Sequence, residues 1–446
     1  MEQNFFHRRD ETMSRAEAQE MQLRKLKWQV ARCYENVPFY RRKFDEVGLK
    51  PEHIQKLSDI TKIPFLTKED LRQFYPHGLL AVPFEKVCHY HMTSGTTGLP
   101  VTVAHSFSDW ERLAALQARQ LVMQGLGPGD LLYQGYGYGT WIGGPSVDIG
   151  AHAAGIRVLP VGPGRTNAAM GWLKDFAANG ITCTPSFMVY LIETARKEGI
   201  DPRKDWPTLK MSNMGGEAWS LGLRDKIERA MPPGFKAHNQ YGTTEVGGPV
   251  AAASCPYSQL EGFAHTWADA YLAEIVDPES GESLTEPGQE GELVLTTLER
   301  EASPVLRFRT RDLTAFKENP YDCLCGRRAH PLLKWFTGRT DDILKIRGTM
   351  VAPRRIEDII TRIEGVGEAW MIVIERPEGK MDNLTIQLEL EPALWEDPIR
   401  REEMEKFVAQ RVSDELGIRV DSLVVPPNTL PRFERKAARV MDKRKM

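Results

Sequence analysis

The sequence predicts an α/β fold in two parts: a large N-terminal domain with mostly parallel sheets plus a smaller antiparallel layer, and a small α+β C-terminal domain. Three stretches predict it. Between about Gly129 and Gly248 short apolar runs alternate with helical patterns, which implies a mostly parallel sheet covered on both faces. From about Tyr271 to Phe316 strands are joined by turns, LAEIVDPESGESL running on to GELVLTTL, the pattern of an antiparallel hairpin. Beyond Gly338 a new helix and strand order begins and fills a compact unit of about a hundred residues.

After a polar start, Leu23, Leu26, Val30 and Tyr34 fall at helical spacing between Ser14 and about Val47, with Arg and Lys opposite, so an amphipathic helix packs on the body. Asn36, Val37 and Pro38 break it, because the residue before a proline disfavours the helical region. In the alternating stretch LLYQGYG, IRVLPVG, ITCTPS, LKMSNM and FKAHNQY read as strands. Asn167 to Ala178, Phe187 to Lys197 and Trp219 to Ala230 read as helices. Ligands of such sheets gather at the carboxyl ends of the strands. The last part reads helix (Arg354 to Ile363), strand (AWMIVIE), strand (LTIQLELE), helix (Arg401 to Leu416) and strand (SLVV). The expected domains are therefore residues 1–338 and 342–446.

With 446 residues, 41% hydrophobic and 27% charged, the chain has a globular balance that excludes wholesale disorder and fibrous repeats. A formal net charge of -3 points to no nucleic acid or other polyanion; Arg24, Lys25 and Lys27, like Lys443, Arg444 and Lys445, read as solvated basic faces. No run approaches the ~18 apolar residues of a membrane helix, and MEQNFFHRRDET lacks the apolar core of a signal peptide. A cytoplasmic protein without a membrane partner is expected. Six cysteines in so long a chain fit thiols or metal ligands better than a disulfide framework.

Residues 93 to 98, TSGTTG, stand between an apolar stretch and an apparent strand. Gly95 and Gly98 let backbone N–H groups converge on an anion, and Ser94, Thr96 and Thr97 add hydroxyl donors; a plain turn is the competing reading. Leu99 and Pro100 replace the lysine of a Walker loop, which disfavours an ordinary P-loop ATPase. Residues 241 to 248, YGTTEVGG, follow a strand. Tyr241 can cover a purine, Thr243 and Thr244 can bond phosphate beside Gly242, and Glu245 can hold Mg²⁺ against it. Asp312 in RFRTRDLT could accept both ribose hydroxyls, GRTDDILKIRG pairs Arg339 with Asp341, and Lys436 lies in LPRFERKAARV.

In this order and at these intervals, the segments resemble the adenylate-forming superfamily of acyl-CoA synthetases, adenylation domains and luciferases. YENVPFYRRKFDEVGL, TSGTTGLP, YGTTEVGG, RFRTRDLT, GRTDDILKIRG and the LPR...K tail look most like its phenylacetate-CoA ligase branch, from about Leu23 to the end. The resemblance implies an ATP-dependent ligase that joins a small aromatic acid to coenzyme A through an acyl-AMP, releasing AMP and pyrophosphate. It implies a nucleotide site of Ser94 to Gly98, Gly215, Gly216, Glu217, Tyr241 to Thr243, Asp312 and Arg339, with Thr244, Glu245 and Lys436 as catalytic groups. Lys436 would ride on a mobile C-terminal domain hinged at Asp341, whose rotation exchanges it for the Arg347 and Gly348 loop at a pantetheine tunnel. Where the family usually has glycine before that lysine, this chain has Arg435.

YQGYGYGTWIGG, residues 133 to 144, is dense in aromatics and glycines: Tyr136, Tyr138 and Trp141 could wall a flat apolar pocket beside Gly143, or serve as core packing. It contains no Lys or Arg to demand a second acidic group, so an arylacetic or benzoic acid fits better than a dicarboxylate. Cys255, His265, Cys323 and Cys325 make a Cys₃His set suited to structural Zn²⁺. The C-x-C pair is tighter than usual spacing, His330 is an alternative nitrogen ligand, and buried thiols are the competing reading. Some phenylacetate-CoA-ligase-like proteins carry a similar set. A homodimer is one assembly the chain could form. The rival functions are a nucleotidyltransferase of the same fold that adenylylates a hydroxyl without CoA, and a non-catalytic nucleotide sensor.

Overall fold

Ser14 starts the first long helix, Arg15–Asn36, with a capping box: its hydroxyl accepts from the Glu17 N–H, and the Glu17 carboxylate accepts from the Ser14 N–H at 2.7 Å. Pro38 ends that helix and opens the next, Pro38–Glu46, because a residue without an N–H suits a first helical turn. The computed structural model describes residues 4–93, 99–347, 349–376, 381–433 and 439–445. The chain groups into two compact units. One comprises Met1–Cys183, Trp206–Gly216 and Gly234–Trp335, the other Thr184–Asp205, Glu217–Pro233 and Phe336–Met446. The second thus takes in two helices, Pro185–Lys197 and Leu221–Ala230, that precede the boundary read from the sequence. The reason is close packing: Ser220 Oγ lies 3.1 Å from Thr361 Oγ1, and Lys226 reaches the Val366 carbonyl at 3.0 Å.

The first unit holds strands β1 (Val87–Met92), β2 (Thr102–Ser106), β3 (Leu131–Gln134), β4 (Arg157–Pro160), β5 (Gly180–Cys183), β6 (Met211–Met214), β7 (Lys236–Thr243), β8 (Gly248–Ala253), β9 (Phe263–Thr266), β10 (Tyr271–Val276), β11 (Gly291–Thr297), β12 (Phe308–Thr314) and β13 (Leu332–Lys334). Eight make one sheet in the order β13-β9-β8-β7-β6-β5-β3-β4. From β7 to β4 the pairing is parallel, as the alternating pattern predicts. At β7 the sheet turns antiparallel through β8, β9 and β13. That extension was not legible, because its strands are short and mostly buried and show no alternation. β10, β11 and β12 form the expected antiparallel layer.

Leu121, Leu126, Leu132, Val147, Ala151 and Ile156 belong to one cluster under the sheet, and each buried Leu, Ile or Val contributes about 1.5–3 kcal/mol. The N-terminal turn is fixed from below. Glu11, fully buried, accepts from the Phe6 and His7 N–H groups and forms a two-pronged ion pair with buried Arg327 at 2.6 and 2.9 Å. Arg327 also donates to the Asn4 carbonyl and lies over the Phe5 ring.

The second unit adds β14 (Gly338–Arg339), β15 (Leu344–Ile346), β16 (Thr349–Val351), β17 (Val366–Glu375), β18 (Asn383–Leu390), β19 (Asp421–Val424) and β20 (Val440–Asp442). Its main sheet runs β19-β18-β17-β20. Ile372, Ile374, Ile386 and Leu388 of that sheet pack with Ile356, Ile360, Val408 and Val412 from helices Pro353–Ile360 and Pro398–Leu416, the α+β unit expected. Among the described residues no helix is long and apolar enough to cross a membrane.

Candidate active site and cysteine cluster

The β1–β2 hairpin brackets the TSGTTG segment. Thr93 N–H bonds the Val101 carbonyl and Val101 N–H bonds the Thr93 hydroxyl, both at 3.0 Å, so the two ends of the loop are pinned together. Ser94, Gly95, Thr96, Thr97 and Gly98 lie outside the described residues. Met92 N–H and His91 Nδ1 both reach the Thr140 carbonyl, which sets the end of β1 beside the aromatic stretch. His91 is 2% exposed, and burial holds its imidazole down at about 4.

β7 carries the chain into Tyr241, Gly242 and Thr243, at the carboxyl edge of the parallel sheet. Tyr241 donates its hydroxyl to Asp312 at 2.6 Å, so the aromatic ring and the carboxylate named from sequence meet across 71 residues. Thr243 Oγ1 is buried with no hydrogen bond among the described residues, and Thr244 is buried. Glu245, 4% exposed, pairs with Lys68 Nζ at 3.0 Å. Sequence reasoning missed Lys68; Thr67–Asp70 reads only as a helix cap, and nothing local links it to Glu245. Gly215 and Gly216 follow β6.

Glu217, Arg339 and Asp341 belong to the second unit. Glu217 accepts from the Ser186 N–H at 2.6 Å, and Arg339 pairs with Asp341 at 2.8 Å. Arg347 has φ 50° and donates to the Asp382 carbonyl. Lys436, Arg435 and Gly348 lie outside the described residues. Just ahead of Lys436, Arg432 is anchored to Glu389 at 2.8 Å and Glu193 at 2.9 Å.

In the aromatic stretch Tyr136 is 2% exposed, its hydroxyl donating to the Asn213 carbonyl and accepting from Gln240. Trp141 meets it edge to face at 5.2 Å, and a Cβ on Gly143 would come within 2.4 Å of the Trp141 ring, so only glycine lets the indole fold there. Tyr138 is the most open of the three at 37% and donates to Asp148 at 2.8 Å; burial raises both groups.

A second cluster sits at the antiparallel end of the sheet. Cys255 follows β8, His265 stands in β9, and Cys323 and Cys325 come from the loop before β13. Their four ligand atoms lie within 4.8 Å of one another. Cys255 Sγ is 3.5 Å from Cys323 Sγ, beyond a disulfide's about 2.05 Å, and Cys325 Sγ is 3.1 Å from His265 Nε2. Burial opposes charge on Cys255, but hydrogen bonds with Cys323, Cys325 and His265 draw its thiol well down. Burial likewise opposes a proton on His265, yet the Cys325 charge and the thiol hydrogen bonds raise it to about 10. His330 is not a fourth ligand: its Nδ1 accepts from the Ala268 N–H and its Nε2 bonds the Asp10 carbonyl, while its own carbonyl bonds His265 Nδ1 at 2.8 Å.

A nucleotide face at the carboxyl ends of parallel strands, followed by a separate small unit, is the build of an AMP-binding enzyme. The AMP-binding enzyme family matches residues 50–297, and the AMP-binding enzyme C-terminal domain matches residues 348–444. The phenylacetate-coenzyme A ligase of Thermus thermophilus is 38% identical over 98% of this chain and 98% of its own length, and that of Escherichia coli is 37% identical over 97% of each. The solved structure of 2-hydroxyisobutyryl-CoA ligase in the postadenylation state, in complex with 2-HIB-AMP, aligns with a TM-score of 0.90 at 30% identity, over 98% of this chain and 92% of that one. The chain belongs to the adenylate-forming AMP-binding enzymes, in their phenylacetate-CoA ligase branch.

Proposed function

We infer that the protein is an ATP-dependent, AMP-forming acid–thiol ligase that converts a small aromatic carboxylic acid to its CoA thioester by way of an acyl-AMP. The observation that carries this is the relation to phenylacetate-CoA ligases along nearly the whole chain, both matched domains included. Tyr241 stacks on adenine and Asp312 takes the ribose hydroxyls; the two side chains already meet, hydroxyl to carboxylate at 2.6 Å. Residues 94–98 with Thr243 and Thr244 bind phosphate, and Gly215, Gly216 and Glu217 line the passage from adenine to acid. The buried, unmet Thr243 hydroxyl fits a phosphate oxygen.

Glu245 would hold Mg²⁺ with the nucleotide phosphates; when bound, the ion offsets phosphate charge. Lys68, now on that carboxylate, lies within reach of the same charge. Lys436 stabilises the charge that builds between carboxylate and α-phosphate. Rotation about Asp341 then withdraws it and brings Arg347 and Gly348 to the CoA thiol, which attacks the acyl carbon and releases AMP. The acid lies against Tyr138 and the Tyr136–Trp141 pair. Dependence on ATP and CoA suits a cytoplasmic enzyme.

Cys255, His265, Cys323 and Cys325 would hold a structural Zn²⁺. Around Zn²⁺, with Zn–S about 2.3 Å, tetrahedral angles put sulfurs about 3.8 Å apart, close to the 3.5 Å between Cys255 and Cys323. Nδ1 of His265 donates to a backbone carbonyl and leaves Nε2 toward the thiols, the support usual for a metal-bound histidine. All four positions are protein ligands, so the ion ties β8, β9 and the 323–325 loop together and takes no part in the reaction.

The test is acid-dependent ATP–pyrophosphate exchange over arylacetic, benzoic and 2-hydroxy acids, followed by mass spectrometry of the product with and without CoA. Aryl-CoA formation is expected. A stable adenylylated hydroxyl formed without CoA, or no exchange with any acid, would overturn the reading; elemental analysis of protein purified free of chelator checks the zinc.

A further inference from the structure

Arg300 is a buried guanidinium without a counter-ion among the described residues. It is 7% exposed, in the turn between β11 and β12. Its backbone is locked, N–H to Gln29 Oε1 at 2.8 Å and carbonyl from Gln29 Nε2 at 3.0 Å. Among the described residues its side chain reaches the Ala104 carbonyl and His105 Nε2, each at 3.5 Å, and its Nε has no hydrogen bond. Among the described residues no carboxylate lies within ion-pair distance of it. The nearby acids are engaged elsewhere. Asp109 accepts from the Ser106, Glu301 and Ala302 N–H groups, Asp269 pairs with Arg119 at 2.6 Å through Oδ2 while its Oδ1 has no hydrogen bond among the described residues, and Glu299 pairs with Lys25 at 2.7 Å.

Removing a charge from water without compensation costs several kcal/mol. The fold therefore either carries that cost or offers the charge to something else. Arg300 lines a cavity of about 300 Å³, the lower end of ligand pockets, with Leu113 and Val250 as its apolar side; the wall's other cations, Lys25, Arg112 and Arg119, are each paired with an acid of the same wall, Glu299, Asp109 and Asp269 in turn, which leaves Arg300 as the cation there without an ion pair among the described residues. It also lies against the active-site loop: a Cβ on Gly247, whose φ is +96°, would come within 1.6 Å of Arg300 Nη1.

We propose that Arg300 and this cavity form an oxyanion site behind the Tyr241–Gly248 loop, taking inorganic phosphate or a small carboxylate. Nothing in it depends on which acid the enzyme activates. Calorimetry at constant ionic strength, with AMP already saturating the nucleotide site, tests it with phosphate and with butyrate as probes. The wild-type enzyme is expected to bind at least one of them saturably; phosphate alone assigns the site to phosphates, and butyrate alone to carboxylates. Arg300→Gln should bind at least about tenfold more weakly, the loss of a charge-assisted hydrogen bond. Ala115→Met, which keeps Arg300 but fills the cavity, should bind equally weakly. In anion-free buffer Arg300→Gln should melt no lower than wild type. Binding of neither probe, binding that survives in either variant, or a lower melting temperature of Arg300→Gln without anions overturns the proposal.

Discussion

The cysteine cluster and the nucleotide face share one compact unit, the first at the antiparallel end of the long sheet and the second at the carboxyl edge of its parallel part, yet they are finished to different degrees. Around the cluster the supporting groups are met by protein: His265 Nδ1 by the His330 carbonyl, both His330 nitrogens by backbone, and Arg327 by Glu11. Around the nucleotide face polar groups wait. Among the described residues Thr243 Oγ1 is buried with no hydrogen bond, and Glu245 is held by Lys68. On the proposed reading, a site that would hold its ligand permanently is completed by the fold, whereas one that would have to release product leaves some of its partners to the ligand.

The sharpest way to break that contrast is at the cluster. His265→Ala and Cys323→Ser should each lose near-stoichiometric zinc and melt well below wild type, since structural zinc carries on the order of 10 kcal/mol of apparent binding energy in small domains. Unchanged metal content and melting would remove the contrast altogether. On the nucleotide side the changes should be kinetic. Lys436→Ala should slow acid adenylation by roughly 10² to 10³ while thioester formation from supplied acyl-AMP persists. Asp341→Pro should do the reverse, because a fixed φ stops the hinge; pyrophosphate exchange survives and ligation collapses. Equal losses in both half-reactions would sink the two-pose account.

A smaller effect sharpens the cluster's side. Glu11→Gln breaks the buried pair with Arg327 and should cost about 3 kcal/mol, read from urea denaturation, and speed the release of zinc to chelator. The smallest belongs to His91, beside the phosphate loop. Burial lowers it to about 4 against 6.5 unfolded, so the unfolded chain binds the extra proton. Stability from this group is whole above about 6.5 and is lost as pH falls toward about 4, at up to ~1.4 kcal/mol per pH unit. His91→Gln should flatten the acid limb by that slope; an unchanged limb contradicts the assignment.

Sequence made the parallel strands, the hairpin layer and the C-terminal order legible because their periodicity is local. Tyr241 and Asp312 were legible as separate candidates from motif chemistry, though not their contact, and the Cys₃His set from ligand type, its turn-rich placement and the family resemblance. What could not be read is what distant segments do to one another. The choice of His265 over His330 rests on a backbone carbonyl, Lys68 on Glu245 spans most of the unit, and Arg300 shows its isolation only once every nearby acid is seen to be taken. The second unit's claim on Pro185–Lys197 and Leu221–Ala230 likewise rests on packing, not pattern.

Glu11 and Arg327 stand 316 residues apart in the chain. A growing polypeptide therefore exposes Glu11 long before its partner exists, and the parallel strands must pair in the meantime. Contacts of such separation are slow to form and come late. The N-terminal turn therefore cannot reach its final packing until Arg327 and His330 have both been made.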